Sequence, residues 1–127
     1  SQVIENVDAA NHSGPDTLKA EEAKLIQAVR ETYLKFGFIG CTGCRYCQPC
    51  PQGVKIPEIL ALHNEYFTKH GDSSAEQGVV KKYGETLLPE ERAKNCAQCG
   101  TCETLCPQQL PIRNLMRRAT FQFEEAR

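Results

Sequence analysis

The sequence has almost no excess charge, no long hydrophobic run and no alternating pattern, and each lack removes a class of protein. Fifteen basic residues face sixteen acidic ones, leaving a net charge of −1 and a pI near 6.3. That balance gives no electrostatic reason to expect nucleic acid or an anionic membrane as partner. No apolar stretch approaches the roughly 18 residues of a membrane span, and no signal-peptide pattern opens the chain. The expectation is a cytoplasmic protein. No dinucleotide fingerprint, phosphate loop, Ser/His/Asp set or carboxylate pair stands out, so no catalytic residue is assigned. No stretch sustains the period-two alternation of a half-buried strand. The expected fold class is all-α, and 127 residues allow one modest core. The first residue is Ser1 rather than methionine, which fits a processed protein or an excised piece of a longer one.

Cysteine is what the chain has in quantity: eight, in two runs. The first, "CTGCRYCQPCP", places Cys41, Cys44, Cys47 and Cys50 at every third position and follows the last with a proline. The second, "CAQCGTCETLCP", holds Cys96, Cys99, Cys102 and Cys106, again with a proline after the last. In a secreted protein eight cysteines would read as four disulfides. Without a secretory signal, metal ligation is the better reading.

The runs belong to an internal repeat. "CPQGVKIPEIL" from Cys50 lies over "CPQQLPIRNLM" from Cys106, with Val54 on Leu110, Ile56 on Ile112, Ile59 on Leu115 and Leu60 on Met116. The offset is 55 residues across the first three cysteines and 56 at the fourth, so the second copy has one extra residue before its last cysteine. Each loop leads into an apolar helix, as in a pseudo-two-fold pair.

Helical periodicity covers most of the remainder. From about Asp16 to Phe36, one face carries Leu18, Leu25, Ile26, Val29, Tyr33 and Phe36, with Gly37 as a stop. Pro57 opens a helix bearing Ile59, Leu60, His63, Tyr66 and Phe67 that ends near Gly71. Ser73 and Glu76 form a candidate capping box for a short helix closed by Gly84. Pro89 opens another short helix running into Cys96. Pro111 opens the last, where Ile112, Leu115, Met116, Ala119 and Phe123 recur at helical intervals. Residues 1–15 are polar and end in a Ser-Gly-Pro breaker; they read as a tail or linker, or, over "QVIENV", as a helix without its partner. Residues 16–127 are expected to form the cysteine-bearing domain.

Two metals compete for such thiols. Structural zinc usually takes two C-x2-4-C pairs separated by a longer stretch. Here each run already holds four cysteines, which is the ferredoxin-type pattern for 4Fe–4S clusters. In two-cluster proteins the fourth cysteine of a run ligates the other cluster. Cys41, Cys44, Cys47 and Cys106 are therefore expected to hold one cluster, and Cys96, Cys99, Cys102 and Cys50 the other. Cys50, after a run one residue short of the standard spacing, is the least standard of the eight. The proline after each fourth cysteine turns the chain away. Gly40, Gly43 and Gly100 let backbone N–H groups approach sulfide.

These stretches closely resemble the C-terminal iron–sulfur domain found in one branch of the aldo/keto reductase family, where the shortened first run is usual. "SQVIENVDAANHSGPDTLKAEEAKLIQAV" resembles the end of the reductase barrel and its final helix. The resemblance implies an electron-transfer module serving a nicotinamide-dependent oxidoreductase. Its (β/α)8 barrel, catalytic tyrosine and NAD(P)H site would lie outside these residues, fused or neighbouring. The cysteine loops and helices are also similar to α-helical ferredoxin domains. The reading from a different class is a metal-stapled interaction domain, iron–sulfur or zinc, without redox turnover.

Other candidates have blander explanations. His12, His63 and His70 are read as ordinary residues, with His63 partly buried beside Leu60 and Tyr66. Tyr33, Tyr46, Tyr66 and Tyr83 are read as core or cluster-shielding. Arg92, Lys94, Arg113, Arg117 and Arg118 form either a solvated face or a dock for an acidic redox protein.

Overall fold

The computed structural model describes residues 1–15, 17–35 and 37–125, and all its regular elements are helical. Asp16 and Phe36, the expected ends of one helix, lie outside the described residues. The chain divides into two units, Ser1–Phe36 and Gly37–Arg127.

In the first unit, α1 (Gln2–His12) occupies the segment read as a tail, so the alternative reading of "QVIENV" as a helix is the one found. Nothing before Gly14 breaks it, and Glu5 in the first turn and His12 in the last suit the helix dipole. None of its residues is buried. α2 (Ala20–Lys35) starts after the Gly14–Pro15 breaker, where the Glu22 carboxylate accepts the Lys19 N–H at 2.8 Å. Leu25, Ile26 and Val29 on α2 are exposed, as are Val3, Ile4 and Val7 on α1.

The second unit carries the core. α3 (Ile56–Thr68) has Pro57 in its first turn and buries Ile56, Ile59, Leu60 and His63, one helical face. α4 (Ser73–Thr86) starts differently from expectation. Asp72, not Ser73, is the cap: its carboxylate accepts from Ser74 and Ala75 N–H at 3.0 and 3.1 Å. Glu76 reaches back to the Gly71 N–H at 3.1 Å. Gly84 does not stop this helix, since no residue there needs a left-handed turn. In place of one short helix after Pro89 there are two 3-10 turns, Pro89–Glu91 and Ala93–Asn95. α5 (Thr101–Thr104) lies inside the second cysteine run. α6 (Ile112–Thr120) widens into a π-turn, Phe121–Glu125, that keeps Phe123 in the core.

α3 packs on α4 and on α6. Of the residues paired by the repeat, Val54, Ile56, Ile59 and Leu60 are buried beside Ile112, Leu115 and Met116, with Leu110 partly buried against them. Burying each such aliphatic side chain contributes about 1.5–3 kcal/mol. These residues sit just beyond the last cysteine of each run, so the core that holds α3 against α6 also holds the cysteine loops.

Candidate metal centre

The repeat is preserved in the backbone. Gly53 and Gln109 N–H groups bond back to the carbonyls of Cys50 and Cys106 at 2.9 and 3.0 Å. Ile56 and Ile112 do the same to Val54 and Leu110, at 3.0 and 2.8 Å. Within the runs, Gln48 bonds to Arg45 and Glu103 to Gly100, both at 2.9 Å. Left-handed backbone recurs in step: Gly43 with Gln98, Arg45 with Gly100, Gly53 with Gln109. The extra residue of the second run falls where α5 lies.

Each run is led in by a segment that a polar side chain from elsewhere pins down. Asn64 on α3 accepts the Ile39 N–H at 2.8 Å and donates to the Ile39 carbonyl at 2.9 Å, just before Cys41. The Tyr83 hydroxyl on α4 accepts the Ala93 N–H at 2.9 Å, just before Cys96, and donates to Glu124 at 2.9 Å. Tyr83 also stacks on Phe123, with ring centres 4.5 Å apart.

The thiols ring two cavities. One, about 330 Å³ of atom-free space with its open mouth included, is lined by Cys41, Cys44, Cys47 and Cys106 together with Ile56, Pro57, Leu60, Leu110 and Ile112. The other, about 450 Å³, is lined by Cys96, Cys99, Cys102, Cys50 and Cys47, with Val54, Ile56, Leu105 and Arg113. Cys106 thus meets the first run and Cys50 the second, and Cys47 and Ile56 face both cavities. Among the described residues, no three His, Cys, Asp or Glu side chains close in on a point as one metal ion requires.

The electrostatics of the thiols differ with burial. Burial pushes the Cys47 thiol up, and its neighbours Cys41, Cys44 and Cys106 add to the effect. Burial, Cys96 and Glu103 push Cys102 up to about 11. Cys99, exposed, is held below the usual thiol range by hydrogen bonds from Thr101. Thiolates crowded in this way repel one another unless a cationic centre neutralises them. A donor set of thiolates around a space larger than an ion fits a cluster at each cavity.

A match to a known family decides which group these thiols serve: the model of the 4Fe-4S dicluster domain matches residues 9–110. The chain belongs to the 4Fe-4S dicluster domain family. No curated protein and no solved structure matches it. As a dicluster domain with eight cysteines, it binds two 4Fe–4S clusters.

Several side chains around the dicluster site were not singled out by their types. Gln98 Nε2 donates to Cys96 Sγ at 3.4 Å, and the Thr101 hydroxyl lies 3.6 Å from Cys99 Sγ. Neither they nor Asn64 carries a recognisable motif, and their roles appear only when the chain folds. Of the histidines, His63 is more buried than expected, 2% exposed, packed on Phe67 with ring centres 4.7 Å apart. Burial, together with nearby Arg118, outweighs the opposing effect of the Gln122 side chain and pushes its pKa down to about 4. The ring is therefore neutral at pH 7. His12 and His70 lie on the surface beside Asp8 and Glu76. In the basic group, Arg113 is held by Glu103 and Lys94 by Glu124. No described helix is long and apolar enough to cross a membrane.

Proposed function

We propose that this dicluster domain relays single electrons, with Cys41, Cys44, Cys47 and Cys106 holding one cluster and Cys96, Cys99, Cys102 and Cys50 the other. The observation that carries the reading is the pair of thiol-lined cavities in one core, each completed by the last cysteine of the opposite run. Bound clusters accept and release electrons one at a time. The chain's own residues supply the rest. The cysteines ligate as thiolates; Ile56, Leu60, Leu110 and Ile112 keep water from one cavity, and Val54, Ile56 and Leu105 from the other. Ile56 and Cys47, which line both cavities, form the wall the two sites share.

The partner we propose is a reductase barrel of the aldo/keto reductase type, fused or neighbouring, which would carry the NAD(P)H chemistry. Support comes from the resemblance of residues 1–29 to the end of that barrel, and from the exposed apolar side chains of α1 and α2, which call for a covering surface.

Anaerobic preparation with metal and sulfide analysis tests the reading. The expected result is about eight iron and eight acid-labile sulfide per chain, with visible absorption that bleaches on reduction. Zinc without sulfide would overturn it. Iron that cannot be reduced would leave a metal-stapled structural domain in place of an electron relay. The isolated chain is expected to show no nicotinamide-dependent turnover, since it is far shorter than the roughly 250 residues of a (β/α)8 barrel.

A further inference from the structure

The features that normally separate two cluster sites, namely exposure, local charge and hydrogen bonding to sulfur, do not all differ between the two cavities. Each has one exposed cysteine from its own run, Cys44 or Cys99, the others being partly buried. Each has one arginine held by one glutamate: Arg45 on Glu58 at 2.5 Å, and Arg113 on Glu103 at 2.8 Å. Exposure and these two ion pairs therefore do not rank them. Hydrogen bonding does.

Around the second run, the Gln98 amide donates to Cys96 Sγ at 3.4 Å, and the Thr101 hydroxyl meets Cys99 Sγ at 3.6 Å. A thiolate bound to iron can only accept, so the hydroxyl is the donor there. One repeat earlier, the matching positions are Gly43 and Tyr46. Glycine has no side chain, and Tyr46 is 65% exposed. Among the described residues, no side chain donates to the sulfur of Cys41, Cys44, Cys47 or Cys106. Reduction adds negative charge to a cluster and its sulfurs. Donors aimed at those sulfurs stabilise the reduced form more than the oxidised one and raise the potential.

We propose that Gln98 and Thr101 tune the cluster of the second run, making it the easier of the two to reduce, so that a single added electron resides there. The proposal rests on the ligation reading above, but only on Cys96 and Cys99 sharing one cluster. It holds whichever cysteine completes that cluster.

A reductive titration of the anaerobically prepared chain, followed by electron paramagnetic resonance, is expected to show two separated one-electron waves. In the double variant Gln98→Met/Thr101→Val the upper wave moves down and the lower wave stays. At a fixed poise, the reduced-to-oxidised ratio of the upper cluster falls about two- to tenfold for each hydrogen bond lost. Thr101→Ser, which keeps the hydroxyl, leaves the wave where the unaltered chain has it. Gly43→Gln installs the amide at the matching place: its φ of +68° is close to the +58° of Gln98, and a Cβ there meets nothing within 4 Å. This variant, which deletes no side chain and places glutamine in the same left-handed backbone that Gln98 already occupies, raises the lower wave and decides the matter if the double variant fails to load. Waves that stay put in these variants, a lower wave that follows the double variant, or Thr101→Ser shifting as far as Thr101→Val would each overturn the proposal. A preparation without two iron–sulfur clusters would instead overturn the ligation reading beneath it.

Discussion

Gly43 and Gln98, Arg45 and Gly100, and Gly53 and Gln109 occupy equivalent left-handed positions one repeat apart, and in each pair one half uses glycine where the other uses a longer side chain. A left-handed residue with a Cβ costs about 1–2 kcal/mol. The halves put that strain to different ends. Arg45 reaches Glu58 on the first turn of α3, whereas Gln98 bonds Cys96 Sγ and the Arg113 carbonyl. The polarity of the ion pair is also exchanged: the first loop offers the arginine and its helix the glutamate, the second loop the glutamate and its helix the arginine. The left-handed turns and the spacing of the first three thiols are thus common to both halves, while the polar side chains around the thiols are free to make the two sites unequal.

The largest effects are expected at the cysteines that cross between halves. Cys106→Ala should abolish the cluster of Cys41, Cys44 and Cys47 and leave about four iron per chain; Cys50→Ala should abolish the other. Either change also loosens the whole second unit, since metal binding and folding are coupled. Iron analysis with spectroscopy of the surviving cluster checks this, and loss of the cluster of the mutated run itself, in both variants, would refute the crossing.

Next come the pins that lead into each run. Tyr83→Phe leaves the buried Ala93 N–H without its acceptor, and Asn64→Ala leaves the Ile39 N–H unpaired, while the Ile39 carbonyl keeps only the Cys41 N–H. Each is expected to cost about 1–3 kcal/mol. Lower denaturant midpoints for bleaching of the cluster absorption would show it, with Tyr83→Phe acting on the second run and Asn64→Ala on the first.

A comparable but pH-dependent effect belongs to His63, on the first of the two repeated helices. Folded, its ring takes a proton only near pH 4; unfolded, it does so near 6.5. Between these values the unfolded chain binds the extra proton, so stability falls as the pH drops through that window. The loss is on the order of 3 kcal/mol by its lower end. His63→Leu should therefore gain thermal stability over the unaltered chain as the pH falls from 6.5 toward 4. A difference between the two proteins that stays constant with pH would contradict it.

The smallest effects are expected at the exchanged ion pairs. Arg45→Gln and Arg113→Gln each remove a half-exposed partner, and each should cost under about 1 kcal/mol in a denaturation midpoint.

Much of this was legible in the residues. The all-α fold, α3 and α6 with their buried faces, the repeat and the eight cysteines follow from spacings of a few residues. The Asp72 cap, the two 3-10 turns and α5 did not, because at those positions neighbouring polar residues compete for the same N–H groups and packing settles the outcome. Asn64 and Tyr83 were hidden for a different reason: their partners Ile39 and Glu124 lie 25 and 41 residues away.

Thiol spacing, the proline after each run and the helical period are local properties, and by themselves they determined that this chain is helical and built to hold clusters. The chain alone could not decide which thiols face one another across the two cavities, or which sulfurs receive hydrogen bonds. Those depend on α3 packing against α6, which brings together halves 56 residues apart. The free energy that closes so long a loop comes from the buried aliphatic core rather than from any residue beside the cysteines.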